Sequence, residues 1–409
     1  MVSLDNIFLA YFDCRKNKSG KESAIEFEVD YENNLIELWR DVNNRTYKPS
    51  QSIAFIVTKP RRREIFAANF RDRVLHHYID LRLRPLIEGA LIDETCNNRV
   101  GKGTFACVKY VERFIREESE NYTQDCYICK MDMQGFFMSI SKSKLIKLTV
   151  EFTRNNYAGD DLEDLIWLIE VILGDSPEKN CILRSPSSEW DKLDKNKSLF
   201  YIDDDLGIPI GNLISQLLVN FYLNEFDHYV REGLGFDKYT RYVDDFCIIS
   251  KDKERLLNSI PMMREKLNEI GVTLHPNKFY FQHYTKGVEV VGSVIMVNRI
   301  YLHNRTVNNA FRAINEINKL KACVSNIERV QSVVNSYLGF MKHSASFNLR
   351  YELVGMLHRK WWKYFYTNGS KNKISVHKKY TKKDRVKNNL IKQRQWNYKK
   401  KLIACKVAS

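Results

Sequence analysis

Long apolar runs are missing from this sequence: none reaches the roughly 18–20 residues that a membrane-spanning helix requires. The opening stretch, MVSLDNIFLAYFDCRKNKSG, holds a few apolar positions broken by Asp5 and Asp13, without the basic-then-apolar order of a secretory leader. A cytoplasmic address is the expectation. Paired cysteines are missing too. The nine cysteines are odd in number and scattered, and the single C-x-x-C, Cys126 and Cys129, has no second pair or nearby histidine to complete a zinc set. That pair reads as small core residues of a strand, and reduced thiols suit a cytosol. No internal repeat is evident.

Core-forming residues, by contrast, are plentiful: 44% of the 409 positions are hydrophobic and 12% aromatic. The length exceeds what one compact core normally takes, so two or three subdomains are expected. Charge is unevenly spread. The chain carries +15 in all, but residues 371–409 hold fourteen Lys or Arg against one acid, Asp384, a surplus of +13. The preceding 370 residues are therefore nearly neutral, at +2. A polycationic tail meets a polyanion, most often nucleic acid, or serves as a solvated solubility tail. Tyr380, Trp396 and Tyr398 lie among the charges, and aromatics that stack on bases favour the first use. The tail cations assigned to RNA are Lys378, Lys379, Lys382, Lys383, Arg385, Lys399, Lys400 and Lys401.

Periodicity places the elements. Residues 22–47 predict helix, with Ile36 and Trp39 among charges. "SIAFIVTKPRRREIFAANFRDRVLHHYIDLRLRPLIEGAL" begins as a β-run, turns at Pro60 to Arg63, returns as a short strand and becomes a helix. In that helix Val74, Tyr78, Leu81 and Leu86 recur at near-helical spacing. "NNRVGKGT" is a glycine-containing loop that leads into another helix, and "CYICKMD" predicts a strand ending on Asp132. Residues 172–206 are polar and turn-rich and read as a surface insertion or mobile loop. "GIPIGN" opens a long helix with Leu213, Leu217, Leu218, Phe221 and Phe226 on one face. "TRYVDDFCII" predicts a hairpin, followed by a helix from Asp252 to Ile270 and a strand-rich part through "VTLHPNKFYFQ" and "GVEVVGSVIMVN". After Arg305 one stripe (Val307, Phe311, Ile314, Ile317) and a second (Val330, Val333, Tyr337, Met341) predict packed helices. A third helix is expected from about Leu349 to Phe365, with the basic tail starting near Thr367.

Two adjacent acids, Asp244 and Asp245, stand inside the hairpin, where repulsion and desolvation both oppose them. An exposed turn tip is one reading, since aspartates favour turns. The flanks, Tyr242 and Val243 before and Phe246, Cys247, Ile248 and Ile249 after, point instead to a buried site. Asp132, at another strand end, supplies a third carboxylate. Clustered buried acids are costly unless metal ions hold them. Hard oxygen donors in this number suit Mg²⁺, which keeps waters and binds one or two carboxylates plus substrate phosphates. Two such ions activate a hydroxyl nucleophile and stabilise a departing pyrophosphate in an in-line phosphoryl transfer. The competing run "IDDD", with Asp203, Asp204 and Asp205, lacks strand flanks and reads as solvated surface.

These patterns resemble reverse transcriptases. "YVDD", Tyr242 to Asp245, is similar to their Y-x-D-D box, and "DMQGFFMSI" to an earlier metal-binding motif in which an aromatic, here Phe137, follows the Asp by five residues. In the family that aromatic excludes the 2′-hydroxyl of an incoming nucleotide, which implies deoxynucleotide substrates. The resemblance implies Asp132, Asp244 and Asp245 as catalytic carboxylates. With the backbone carbonyl of Met133 they would hold two Mg²⁺ ions, with Mn²⁺ as a substitute. "TKPRRREIFAANFRDRV" resembles the fingers motif, whose cations Lys59 and Arg63 would meet the triphosphate. "NNRVGKGT" resembles the second motif, with Arg99; "LHPNK" the palm motif ending in Lys278; and "VEVVGSVI" the primer-grip turn, with Gly292. Arg99, Tyr242 and Gly292 are the implied template and primer contacts, while Phe137, Ile210, Gly211, Gln216 and Lys278 join Lys59 and Arg63 around the nucleotide.

The resemblance covers roughly residues 25–345 and implies an α+β right-hand polymerase. N-terminal helices and fingers would occupy 1–115, and a ferredoxin-like palm with an antiparallel sheet 116–305. A helical thumb at 306–366 and the basic tail at 367–409 would complete it. Within this superfamily, "GIPIGNLISQ" carries Pro209-Ile210-Gly211 where most members have P-Q-G. Its I-G-N-x-x-S-Q pattern resembles the enzymes of diversity-generating retroelements, as do "DRVLHHYI", "NNRVGKGT" and "SYLGFMKHS". That narrower likeness implies error-prone copying of a template-repeat RNA into cDNA, with errors at template adenines, in a prokaryotic cell or from a phage genome. It also implies a small, basic, oligomeric accessory protein as partner, beside the template RNA, the cDNA or primer, and dNTPs. Other readings are a retron, abortive-infection or other defence-associated reverse transcriptase, a group II intron enzyme, and a catalytically silent RNA-binding scaffold. The S-Q ending and the lack of a maturase or endonuclease zinc module disfavour the intron, and the three acids disfavour the scaffold.

Overall fold

The structure, a computed structural model, describes residues 1–16, 22–58, 61–378 and Tyr380. Lys59 and the tail cations Lys379, Lys382, Lys383, Arg385, Lys399, Lys400 and Lys401 lie outside the described residues. Helices α1 (Leu4–Arg15), α2 (Glu22–Glu28) and α3 (Tyr31–Asn43) come first. Ser3 caps α1 by accepting from the Asn6 N–H, and Leu35, Leu38 and Val42 form the buried stripe of α3. Strands β1 (Ser52–Val57) and β2 (Arg63–Ala67) pair antiparallel, and Asn69 caps the long α4 (Phe70–Ala90). Next come α5 (Thr104–Glu118), β3 (Tyr127–Met133), the short α6 (Phe136–Ser139), α7 (Lys142–Asn156), α8 (Leu162–Gly174) and β4 (Cys181–Leu183). Helices α9 (Leu213–Tyr222) and α10 (Asn224–His228) precede the hairpin β5 (Tyr239–Tyr242) and β6 (Asp245–Ser250), then α11 (Lys253–Glu269) and β7 (Leu274–His283). A meander, β8 (Val288–Val290), β9 (Ser293–Met296) and β10 (Arg299–Leu302), leads into α12 (Asn304–Lys319), α13 (Ile327–Met341) and α14 (Phe347–Gly355). The hairpin β11 (Phe365–Thr367) and β12 (Ile374–Val376) closes the described chain.

The described residues divide into two compact units, one within 1–103 and 129–281, the other within 104–128 and 282–380. The first holds two sheets, β2-β1-β4 and β5-β6-β3-β7. Strand β3 lies inside the second of these sheets, so Ile128, Cys129 and Met131 are buried. Cys126 and Cys129 are both buried, and burial pushes the Cys129 thiol up. The second unit stacks α12, α13 and α14 around a core that includes Ile314, Val330, Val334, Leu338, Leu353 and Trp361. Among the described residues no helix is long and apolar enough to cross a membrane.

Three segments differ from the sequence expectations. Residues 172–206, expected as a surface insertion or mobile loop, make defined long-range contacts. β4 pairs parallel with β1, the Ser185 hydroxyl accepts from the Ile56 N–H at 3.0 Å, and Glu64 on β2 draws in Trp190, Ser198 and Leu199. The polar composition that suggested a loose loop supplies these long-range partners. Asp203, Asp204 and Asp205 stay exposed as expected, yet Asp205 accepts from the Ser141 and Ser143 hydroxyls and from the Ser143 N–H, closing the first turn of α7. The long helix after "GIPIGN" is interrupted at Leu223 and ends in a π-turn, Tyr229–Gly233. Finally, α14 ends at Gly355, and the chain to Phe365 passes through a 3₁₀ turn at Arg359–Trp361. The hairpin at 365–376 docks on α13, where the Asn335 amide donates to the Ile374 carbonyl and accepts from its N–H. Its partners lie about forty positions back, beyond any local pattern.

Candidate active site

Pairing of Tyr242 with Asp245 across β5 and β6 leaves Val243 and Asp244 as a two-residue turn. Val243 has φ +60° while Asp244 does not share the positive sign, the pattern of a type II′ turn, where glycine is preferred at the first position. A β-branched residue there stores strain on the order of 1–2 kcal/mol. The Asp244 carbonyl accepts the Met133 N–H at 3.1 Å, so the end of β3 is stitched to the turn and Asp132 is drawn to the same place. Electrostatics register that proximity. Burial, then the neighbouring charges of Asp245 and Asp132, push Asp244 up to about 6. Asp245 is raised as well, by burial foremost and by Asp132, against the opposing pull of Lys130, Lys278 and Arg61. Asp244 is thus in the turn without being a solvated tip, and the charges of Asp132, Asp244 and Asp245 lie close enough to act on one another.

Two lysines balance this group. Lys278 Nζ lies 2.7 Å from Asp132 Oδ1, and Lys130 Nζ 3.7 Å from Asp245 Oδ1. With Asp132 and Asp245 turned towards lysines, no three acid, His or Cys side chains among the described residues converge as a finished ligand set. The donor chemistry nonetheless fits a hard divalent cation, because such a charge offsets both the burial that chiefly lifts Asp244 and the repulsion from Asp245 and Asp132.

On the nucleotide side, Phe137 is half-buried and meets Phe136 edge-on at 5.9 Å. Together with Ile56, Ile202 and Ile210 it packs against a core of Ala54, Phe66, Met138, Trp190 and Leu199. Backbone bonds hold the "IPIG" segment between two elements: Ile208 N–H donates to the Phe137 carbonyl and Phe66 N–H to the Ile210 carbonyl, both at 2.9 Å. Gly211 has φ +127°, and a Cβ there would stand 2.8 Å from Ile65 Cγ2 and 3.0 Å from the Phe66 carbonyl oxygen. Only glycine lets the chain run this close to β2. Arg63, at the start of β2, and Gln216, on α9, are exposed.

The implied template and primer contacts lie in three different elements. Arg99 turns inward, donating from Nη1 to the carbonyls of Ile92 (2.5 Å) and Thr95 (3.3 Å) and from Nη2 to that of Glu88 (3.2 Å). These bonds fasten the loop after α4; a template contact rests on the resemblance alone. Tyr242 is half-buried at the end of β5. Gly292 belongs to the second unit, where Val291 and Gly292, at φ +46° and +82°, form the turn between β8 and β9. Lys378 is exposed.

Other residues at the site carry weaker sequence signals or none. Lys130 lies two positions before Asp132, hence on the same face of β3, and the K-x-D spacing is the signal that could have found it. Arg61, between the expected cations Lys59 and Arg63, is one whose charge reaches Asp245. Arg241 and Asp227, both fully buried and joined at 2.6 Å, sit behind the acidic turn, and only the fold brings them together.

Comparison with known proteins adds the family. No curated protein matches the chain by sequence. Among solved structures, a telomerase from Candida albicans in complex with a TWJ fragment of telomeric RNA is similar at 11% identity and a TM-score of 0.43, over 81% of this chain and 62% of that one. Apo telomerase from Candida tropicalis is similar at 12% identity and a TM-score of 0.46, over 76% of this chain and 56% of that one. The chain therefore spans less than two thirds of the length of either. The sequence profile described as "Reverse transcriptase (RNA-dependent DNA polymerase)" matches residues 48–295, more than half of the chain and the stretch that holds all three carboxylates. This chain belongs to the reverse transcriptase family.

Proposed function

We propose that the protein is an RNA-directed DNA polymerase that copies a template-repeat RNA into adenine-mutagenic cDNA, as part of a diversity-generating retroelement. The observation that carries the polymerase reading is the coupled trio Asp132, Asp244 and Asp245 within the family-matched segment. Those carboxylates and the Met133 carbonyl would hold two Mg²⁺ ions, which supply activation of the primer 3′-hydroxyl and charge neutralisation on the triphosphate. The chain's own residues do the rest. Phe137 offers a flat hydrocarbon wall where a sugar 2′-hydroxyl would have to fit. Lys278, hydrogen-bonded to Asp132, and Arg63, at the head of β2, supply cations for phosphate oxygens. Template RNA, primer or cDNA and dNTPs are the partners, with a small basic accessory protein beside them.

Support for the narrower reading comes from Ile210. Its side chain shares an apolar shell with Phe137. Branched hydrocarbon there provides no directional hydrogen bond with which to discriminate right from wrong pairs. Extension of a DNA primer on a defined RNA template with Mg²⁺ and dNTPs, followed by sequencing of the cDNA, tests both levels. Extension that EDTA and Asp244→Asn abolish supports the polymerase. Errors concentrated at template adenines support the retroelement, whereas an even error spectrum favours a defence-associated enzyme. Failure to extend any primer leaves the scaffold.

A further inference from the structure

The buried pair Arg241 and Asp227 contributes little by ordinary stability reasoning, since a desolvated ion pair seldom outperforms a hydrophobic replacement. Its connections lead instead to the acidic turn. Asp227 accepts four hydrogen bonds: from Arg241 Nε (2.7 Å) and Nη2 (2.6 Å), from the Tyr239 hydroxyl (2.6 Å) and from the Thr95 hydroxyl (3.0 Å). This fork fixes the guanidinium plane. The remaining nitrogen, Nη1, then points along the hairpin and donates to the Val243 carbonyl at 3.0 Å. The other half of the same residue is held as well, because the Val243 N–H donates to Asn97 Oδ1 at 2.9 Å. Asn220 closes the ring. Its amide donates to the Asn97 carbonyl at 2.7 Å, and its own carbonyl accepts from Arg241 Nη2 at 3.2 Å. Both polar groups of the backbone-strained Val243 are thus gripped by buried side chains, one residue before Asp244.

We infer that Arg241, with Asp227 and Asn97, is a positioning assembly that holds Val243 in its left-handed conformation and so aims the Asp244 and Asp245 carboxylates for metal binding and catalysis. The inference rests on the proposed polymerase site but concerns residues that touch neither metal nor substrate. Glycine at position 243 would take this backbone freely; valine takes it because both ends are tied. Lysine in place of Arg241 keeps the buried charge but offers its donors from one point, so it cannot pair with Asp227 and reach Val243 together.

The test compares the full chain with Arg241→Lys and, as a second variant that leaves the ion pair intact, Asn97→Ala. Primer extension uses poly(rA)/oligo(dT) with dTTP and Mg²⁺; metal binding is read independently by titrating Mn²⁺ into each protein, and folding by thermal melting. The expected result in either folded variant is a kcat lowered by about tenfold or more. The Mn²⁺ dissociation constant rises by about tenfold, and KM for dTTP stays within about threefold of the unmodified chain. If kcat falls only in proportion to the folded fraction and Mn²⁺ binding is unchanged, the assembly is merely structural and the inference is overturned. Should Arg241→Lys fail to fold, Asn97→Ala decides by the same two readouts. An unmodified chain that binds Mn²⁺ but extends no primer defeats the polymerase reading, and the Mn²⁺ comparison still decides the positioning role; a chain that does neither defeats both.

Discussion

Phe137 stands five positions after Asp132, half-buried in the shell that includes Ile210. The spacing singles it out, and the packing restrains its ring. Phe137→Val shortens the wall without adding a polar atom. The ratio of kcat/KM for dTTP over UTP is expected to fall by about tenfold or more, with activity on dTTP largely kept. Steady-state kinetics on one primer-template with each nucleotide checks this, and an unchanged ratio would remove Phe137 from sugar selection. The three aspartates could be singled out in the sequence because an acidic pair with apolar flanks and an acid at a strand end each state their chemistry locally, whereas the close approach of Gly211 to β2 could not. Nor could Arg241, Asp227 and Asn97. Asn97 stands 146 positions from the Val243 it holds, and nothing local in "CNNRV" marks it as the partner of an acidic turn.

Between elements, the fold is tied by buried carboxylates whose partners lie on other helices and strands. Asp161, the cap of α8, accepts from the Tyr78 hydroxyl (2.5 Å) and Arg82 Nε (2.8 Å) on α4, and from the Tyr157 hydroxyl (2.6 Å) at the end of α7. Burial works to raise its pKa, but the two tyrosine hydroxyls and the Arg82 charge outweigh it and hold the carboxyl below its ordinary value. A depressed carboxylate stabilises the fold above its unfolded pKa of about 3.9, and that contribution is lost as pH falls through the lower folded value. Asp161→Asn is therefore expected to cost about 3 kcal/mol at pH 7, with the gap to the unmodified chain narrowing below about pH 4. Urea midpoints at pH 7 and pH 3.5 measure it; a gap that does not change with pH would mean the charge is irrelevant.

Glu64 does the same for the 172–206 segment. It is 1% exposed and accepts from Trp190 Nε1 (2.7 Å), the Ser198 hydroxyl (2.6 Å) and the Leu199 N–H (2.8 Å). Glu64→Ala orphans three donors at roughly 1–3 kcal/mol each before relaxation. Amide exchange across residues 187–201 should quicken by about tenfold or more while α11 keeps its protection; uniform quickening would show that the segment is not a separate unit of stability. Helices and hairpins with strong periodicity were readable from sequence. This anchoring was not, because polarity alone cannot distinguish a solvated loop from one whose polar groups have distant partners.

For the whole molecule, charge asymmetry carries the argument, and the fold relocates the cut that tests it. A boundary near Thr367 would sever β11 from β12 and remove the backbone that Asn335 grips on α13. Loss of RNA binding after such a cut would confuse damage to the second unit with loss of charge. Ending the chain after Tyr380 spares the hairpin and still removes residues 381–409, which hold ten Lys or Arg and one acid. Each phosphate contact on single-stranded RNA contributes about 0.7 to the slope of log K against log salt. If half of those cations meet phosphates, the slope should fall by about 3.5, and affinity at low salt should drop much more than at high salt. Fluorescence anisotropy with a labelled template RNA across a salt series reads both quantities. Melting of the truncated chain at the temperature of the full one shows that the fold is intact. A slope and an affinity that stay where they were would make the tail a solubility device and leave RNA binding to the 380 residues before it.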